Sequence, residues 1–351
     1  MDLNDLERFR QIDADDMLSH IQGLPQQLQN AWDLGLQQPL PSVDRLQSIV
    51  IAGMGGSAIG ADLLAAYVTP LCSVPVVVHR DYDLPAWANG PGTLVICSSH
   101  SGNTEETLSS FELAKKKGCS ILTLSTGGKL AEAARSAGIK PWIFEHRGMP
   151  RAAVGFSFGL LLALFSRLKL IPDAGQELAE ALQVMYQLKT SLEPEVVVVK
   201  NPAKRMAGQL VGRYVTIFGS GYLAPVSRRW KGQINEVAKA WGQFDFLPEG
   251  DHNTMAGLVY PPELLQKMMA LFLRAPSDHP RNHLRANLTR DIFMQEGINT
   301  DFVDATGVGA LAHIWSLLLF GDYTSYYLAM AYGVDPTPID VLEGFKKAML
   351  A

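Results

Sequence analysis

From Ser48 onward the chain alternates short apolar runs with stretches of helical spacing, and that alternation leaves few folds open. The apolar runs fall near residues 48–53, 74–79, 93–98, 120–125 and 141–145. Helix-like stretches lie between several of them, including residues 57–68, 103–117 and 129–137. Short, continuously apolar runs suit strands buried on both faces. Helices between them are the crossovers that parallel strands require. The expectation is an α/β chain whose parallel sheets are flanked by helices on both faces. Ligands in such sheets bind beyond the carboxyl ends of the strands.

The remainder of the chain divides around this pattern. Residues 1–45 hold helical pieces, including 15–24 and 26–35, and close with Pro39 and Pro41. Residues 152–195 read as mainly helical, and Pro202 marks a restart. A strand at 214–218 runs into Gly219-Ser220-Gly221, and a helical pattern follows over 222–241. Strand-like runs recur near 268–274 and 299–304, with an amphipathic stretch over 279–296 between them. Helical segments over 310–331 and 339–350 end the chain, separated by Pro336 and Pro338. The second half thus repeats the first in kind. The expected division is a helical segment over 1–45, a first sheet domain over 46–165, a helical connector over 166–205, and a second sheet domain with a C-terminal helix over 206–351.

The two turns after the first and third apolar runs carry the chemistry. Residues 93–97 run into Ser98-Ser99-His100-Ser101-Gly102-Asn103-Thr104, and a helical pattern follows. A helix start exposes unpaired N–H groups and the positive end of the dipole, which suits a phosphate. Ser99, Ser101 and Thr104 add hydroxyl donors, more than a cap needs. An ordinary N-cap, binding nothing, is the alternative for any one of them. The second turn is Gly53-Met54-Gly55-Gly56-Ser57, whose glycines let the backbone approach a ligand. It looks like a dinucleotide fingerprint, but the following strand ends in His79-Arg80 before Asp81, so that reading is the poorer one.

Composition narrows the partners. With 351 residues, 47% of them hydrophobic, the chain can bury two cores of ordinary size. A net charge of −5 gives no reason to expect nucleic acid or an anionic membrane. Cys72, Cys97 and Cys119 show no metal or redox spacing, so reduced, buried thiols in a cytoplasmic protein are expected. The polar, acidic start is not that of a signal peptide, and no apolar run reaches membrane-spanning length.

Several stretches together carry a resemblance. They are Gly53–Ser57, Ser99–Thr104, Pro150-Arg151, Trp230-Lys-Gly-Gln-Ile-Asn-Glu236 with Lys239, Asp251-His252-Asn253, Gly321-Asp322-Tyr323 and Gly333-Val-Asp-Pro336. The chain resembles the bifunctional phosphoglucose/phosphomannose isomerases, built from two sugar-isomerase (SIS) domains, over nearly its whole length from about residue 45. The resemblance implies two doubly wound, flavodoxin-like sheets and aldose–ketose isomerisation of glucose 6-phosphate and mannose 6-phosphate through a cis-enediol, without metal or cofactor. It implies that Gly56, Ser57, Ser99, Ser101 and Thr104 hold the substrate phosphate. Glu236 is then the base, His252 opens the sugar ring, and Arg151 steadies developing charge. It further implies a C-terminal lysine near the substrate, and a homodimer with His252 a candidate for contribution to the neighbouring subunit's site.

The residues themselves support these roles unevenly. Proton transfer between adjacent carbons needs a base, and a carboxylate in a partly dry pocket suits it. Glu236 falls off the apolar stripe Val226, Trp230, Ile234, Val237 and Trp241, where a solvated helix face is the plain alternative. His252 lies in a loop, and an imidazole can protonate a ring oxygen near neutral pH. His100 is a rival, read here as pocket lining. A guanidinium at a helix start, as at Arg151, is unfavourable unless an anion shares the site. For the terminal lysine, Ile339, Leu342, Phe345 and Met349 form an apolar stripe expected to be buried, and Lys346 falls within it while Lys347 does not. Thr254 stands where the family often has glutamate, which bears on substrate preference. The alternatives are a non-catalytic sugar-phosphate-binding regulator and a SIS isomerase for another phosphosugar.

Overall fold

The computed structural model describes residues 2–43 and 45–349, and they divide into two compact units, Gly23–Leu182 and Met1–Gln22 with Gln183–Ala351. In the first, five strands form one parallel sheet: β1 (Ser48–Gly53), β2 (Val76–His79), β3 (Thr93–Ser98), β4 (Ser120–Ser125) and β5 (Trp142–Ile143). Their order is β2-β1-β3-β4-β5. The central β3 is buried at every position, as its unbroken apolar run requires. On one face Val50, Val95 and Cys97 meet Phe111 and Ala114 of the helix Glu105–Lys116, together with Leu130 and Ala134 of the helix Gly128–Ser136. Burial pushes the Cys97 thiol up, in keeping with a small core filler. The helix Gly55–Val68 packs against the helix Val154–Arg167, which also packs on the helix Leu24–Gln37. Val154 to Phe165 are all buried, as expected of a helix that is apolar on every side.

The second unit carries a four-stranded parallel sheet of order β7-β6-β8-β9. Its strands are β6 (Tyr214–Ser220), β7 (Gly242–Leu247), β8 (Met268–Arg274) and β9 (Asn299–Asp304). Phe218, Leu247, Phe272, Phe293 and Ile298 form a core under it. The order repeats that of β2-β1-β3-β4, so the likeness between halves extends to topology. In both sheets the order reverses at the first strand in sequence, β1 or β6, and the turn after it lies at the topological switch point. No helix among the described residues is long and apolar enough to cross a membrane.

One element differs from the expected pattern. The helix after β6 spans Ala224–Glu236 rather than reaching Trp241. Lys239 sits at φ +54°, which a continuing helix does not allow, and Trp241 is 65% exposed. The chain then enters β7, an edge strand paired with β6 from Val215↔Gly242 to Ser220↔Leu247. Its residues alternate partly exposed polar and aromatic side chains instead of forming an apolar run. That is why the strand was not separable from the helix before it.

Candidate active site

Within the first unit, β1 and β3 end side by side, with Gly53 paired to Ser98, so the two hydroxyl- and glycine-rich turns start together. The Ser57 hydroxyl is buried and accepts the His100 backbone N–H at 3.1 Å. Ser99, also buried, shares a hydrogen bond of 2.8 Å with Thr104 and accepts the Gly102 N–H at 3.1 Å. Ser101 is exposed and accepts the Asn103 N–H at 3.2 Å. Thr104 is the N-cap residue of Glu105–Lys116, yet its side chain makes no cap hydrogen bond. The hydroxyl cluster therefore organises the turn itself. Glu105 and Glu106 in the first turn of that helix oppose an anion there, whereas the helix Gly55–Val68 has no acidic residue in its first turn.

A third loop, Thr126-Gly127-Gly128, supports the Ser99–Thr104 turn and was not singled out in the sequence. Thr126 donates both its hydroxyl and its N–H to the His100 carbonyl, at 2.7 and 2.9 Å. Leu130 N–H donates to the Gly102 carbonyl, and Lys129 N–H to Asn103 Oδ1. The paired glycines after a core strand were the available signal. Arg151 is buried on the 3-10 turn Pro150–Ala153, just before the apolar helix Val154–Arg167. A Cβ on Gly56 would stand 2.4 Å from the Pro150 carbonyl oxygen and 3.1 Å from the Arg151 nitrogen. Gly56 thus brings the first turn directly against the Arg151 backbone. The arrangement gathers Ser57, the Ser99–Thr104 turn and the Arg151 segment into one part of this unit.

Glu236, His252 and Lys346 belong to the second unit. Glu236 is the last residue of Ala224–Glu236 and is half-buried. Its helix is held from one side by the helix Ala310–Tyr332. Trp230 donates its indole N–H to the Leu317 carbonyl at 2.9 Å, and Arg229 pairs with Asp322. Burial pushes the Asp322 carboxyl above the ordinary carboxylate range, with Arg229 pulling the other way. The far end is closed by Asn235, which donates to the Ala240 carbonyl at 2.8 Å. Lys239 Nζ donates to the carbonyls of Glu236 (2.6 Å) and Pro336 (3.3 Å). Three of the stretches that carry the resemblance thus meet around one short helix.

His252 is exposed at the end of the 3-10 turn Glu249–His252. The neighbouring Asp251 turns away to the helix Pro280–Gln295, where it accepts from Arg285 and Thr289, each at 2.7 Å. Thr254 donates to Asp245 and to Asn253 Oδ1. The expected burial of the C-terminal stripe is not found. The helix Asp340–Met349 has no buried residue, with Phe345 63% and Met349 55% exposed. The last residue of the expected segment, Leu350, lies outside the described residues. Neither Lys346 nor Lys347 is buried on this ten-residue helix, so burial does not separate them. Clefts of about 340 and 430 Å³ line β9 and the helix Pro202–Leu210, and none of the predicted site residues lines either. Among the described residues no group of three or more His, Cys, Asp or Glu is placed to hold a metal ion.

Parallel sheets of this order, with hydroxyl-rich turns at the switch point, define a doubly wound, flavodoxin-like α/β protein. The fold covers 99% of a glucose-6-phosphate isomerase like protein from Thermus thermophilus and 99% of this chain, with a TM-score of 0.66 at 20% identity. Residues 199–349 match the bacterial phospho-glucose isomerase C-terminal SIS domain. The bifunctional phosphoglucose/phosphomannose isomerase of Caldicellulosiruptor bescii is 38% identical over 95% of this chain and 98% of its own length. That of Aquifex aeolicus is 33% identical over 86% of this chain and 90% of its own. The chain belongs to the bifunctional phosphoglucose/phosphomannose isomerase family.

Proposed function

We propose that this protein interconverts glucose 6-phosphate and mannose 6-phosphate with fructose 6-phosphate in the cytoplasm. The observation that carries the reading is family membership along nearly the whole chain. The hydroxyl turns add to it, since they offer a phosphate several donors at the carboxyl end of one sheet. In this reading Ser57, Ser99, Ser101 and Thr104 hold the phosphate, and Gly56 lets the backbone close on it. His252 protonates the ring oxygen and opens the sugar. The Glu236 carboxylate takes the proton from C2 and returns it to C1, while Arg151 steadies the charge on the enediol oxygens. Glucose 6-phosphate and mannose 6-phosphate differ only at C2, so both pass through the same enediol. Lys346 completes the set near the substrate. Every group named belongs to the chain, so turnover should survive exhaustive chelation.

A coupled assay for fructose 6-phosphate, with the two aldose phosphates side by side, tests the reading. Turnover of both supports it. Sugar-phosphate binding without turnover makes the protein a regulator instead, and turnover of only another phosphosugar makes it a different SIS isomerase. Glu236→Gln should bind ligand and lose about 10²–10⁴-fold in kcat. The homodimer, with His252 serving the neighbouring subunit's site, belongs to the same proposal. Mixing inactive Glu236→Gln and His252→Ala proteins should then restore activity, which it would not do if His252 served its own chain.

A further inference from the structure

His100 and His146 face each other beside the phosphate turn. His100 Nε2 lies 2.9 Å from His146 Nδ1, and the rings meet edge to face with centroids 5.1 Å apart. Aromatic rings enclose the pair. Phe144 lies 6.0 Å from His100, Phe156 lies 6.1 Å from His146, and these two phenyl rings stack on each other at 4.9 Å. One N–H fills the space between two neutral imidazoles, so each ring fixes the tautomer and orientation of the other.

The consequence runs through the main chain of His100. Its N–H donates to Ser57 Oγ, and its carbonyl is held by Thr126. A serine hydroxyl that accepts the His100 N–H keeps its own proton for another acceptor. The orientation of the Ser57 O–H therefore depends on where the His100 peptide is held. His146 also lies only a few residues before Arg151, whose backbone packs on Gly56. The imidazole pair thus ties the Ser99–Thr104 turn to the segment that carries Arg151.

We propose that His146 is a positioning residue that acts through His100 to aim the Ser57 hydroxyl at the substrate phosphate. This rests on the assignment of the hydroxyl turns as the phosphate site. Its signature is a loss of phosphate affinity without a loss of chemistry. Asn places an amide atom where His146 has Nδ1, so it can keep the hydrogen bond that Leu cannot make.

The test uses full-length His146→Leu and His146→Asn proteins, with inorganic phosphate as a calorimetric probe beside the kinetics. The expected result for His146→Leu is about a tenfold weaker phosphate Kd and a matching rise in KM, or about 1.4 kcal/mol, with kcat within about twofold of the parent. His146→Asn should recover most of the affinity. Unchanged phosphate affinity in His146→Leu overturns the proposal, as does an Asn variant impaired as much as the Leu one, because shape alone would then be at issue. If His146→Leu fails to fold, His100→Gln, which keeps an amide near the Nε2 position, takes its place, and a loss of phosphate affinity equal to that of His100→Leu overturns the proposal. A parent that binds phosphate but isomerises neither sugar removes the isomerase reading and leaves the binding test decisive. A parent that isomerises both sugars without binding phosphate overturns the proposal and leaves the isomerase reading standing.

Discussion

Arg229 and Asp322 meet in a two-pronged ion pair, Nε to Oδ1 at 3.1 Å and Nη2 to Oδ2 at 2.7 Å, with each side chain 4% exposed. The pair joins the helix that ends in Glu236 to the helix Ala310–Tyr332. Removing one partner leaves a buried charge uncompensated. Asp322→Ala should therefore cost about 3–5 kcal/mol of stability, read as a lower denaturant midpoint. Replacing both, as Arg229→Met with Asp322→Leu, should recover most of that loss. A single variant as stable as the parent would exclude the pair as a clamp.

The residue next to Asp322 makes the same junction by shape. A Cβ on Gly321 would stand 2.3 Å from the Trp230 indole nitrogen and 2.4 Å from its Cε2, and Trp230 is wholly buried. In an open helix interior, Gly→Ala stabilises by about 0.5–1 kcal/mol. Here Gly321→Ala should instead destabilise by about 1–3 kcal/mol, as overpacking does, and should shift the Trp230 fluorescence. Unfolding curves give the first readout, and the second is read with the other five tryptophans of the chain replaced. A more stable variant would mean that the indole yields easily.

These contacts explain what could be read in the residues alone. The strands of the first sheet are mainly apolar runs, and β1 and β3 end in glycine or hydroxyl turns, so their places were legible. β7 was not, because an edge strand buries less and Gly242 opens it immediately after a helix pattern. Gly321-Asp322-Tyr323 could be recognised as a family stretch, but nothing local indicates that Gly321 faces Trp230 some ninety positions earlier. The Thr126–Gly128 loop was likewise silent, since its partners His100 and Gly102 lie on another turn. The C-terminal stripe was read correctly as amphipathic, while its burial depends on a surface that sequence periodicity does not name.

Gly102 is constrained twice, by φ +69° and by the Gly127 carbonyl oxygen, 1.9 Å from where a Cβ would be. Gly102→Ala should displace the turn against the Thr126–Gly128 loop. The expected outcome is a rise in KM for fructose 6-phosphate of about tenfold or more, corresponding to at least about 1.4 kcal/mol. Gly118, also at positive φ but with open space around it, supplies the control. Gly118→Ala should strain the backbone without changing KM. Equal KM values in both variants would remove the turn from phosphate binding.

Burial holds the His100 pKa below the ordinary 6.5, because the imidazolium is disfavoured inside. Above that value the ring is neutral in both folded and unfolded chains, and folding carries no penalty. As the pH falls through 6.5 the unfolded chain takes up its proton first, so stability declines until the folded pKa is also passed. The denaturant midpoint should thus drop between about pH 7.5 and 5.5. His100→Phe, whatever its absolute stability, should show a smaller drop over that interval. The same decline in both proteins would place the acid sensitivity elsewhere.

Lys346 and Lys347 are adjacent on the exposed helix Asp340–Met349, and their environments in the chain do not rank them. The periodicity does. Lys346 shares a face with Leu342, Phe345 and Met349, and Lys347 points away from it. An apolar face that meets a surface during turnover would carry Lys346 with it. Lys346→Met should then lower kcat/KM by about tenfold or more, equivalent to about 1.4 kcal/mol of transition-state binding. Lys347→Met should stay close to the parent, and Phe345→Ser, which spoils the same face without touching a charge, should fall with Lys346→Met. Steady-state kinetics of the three proteins decide it. A Lys347 variant that is the more impaired would shift the role by one residue, and three unimpaired variants would exclude the helix from catalysis.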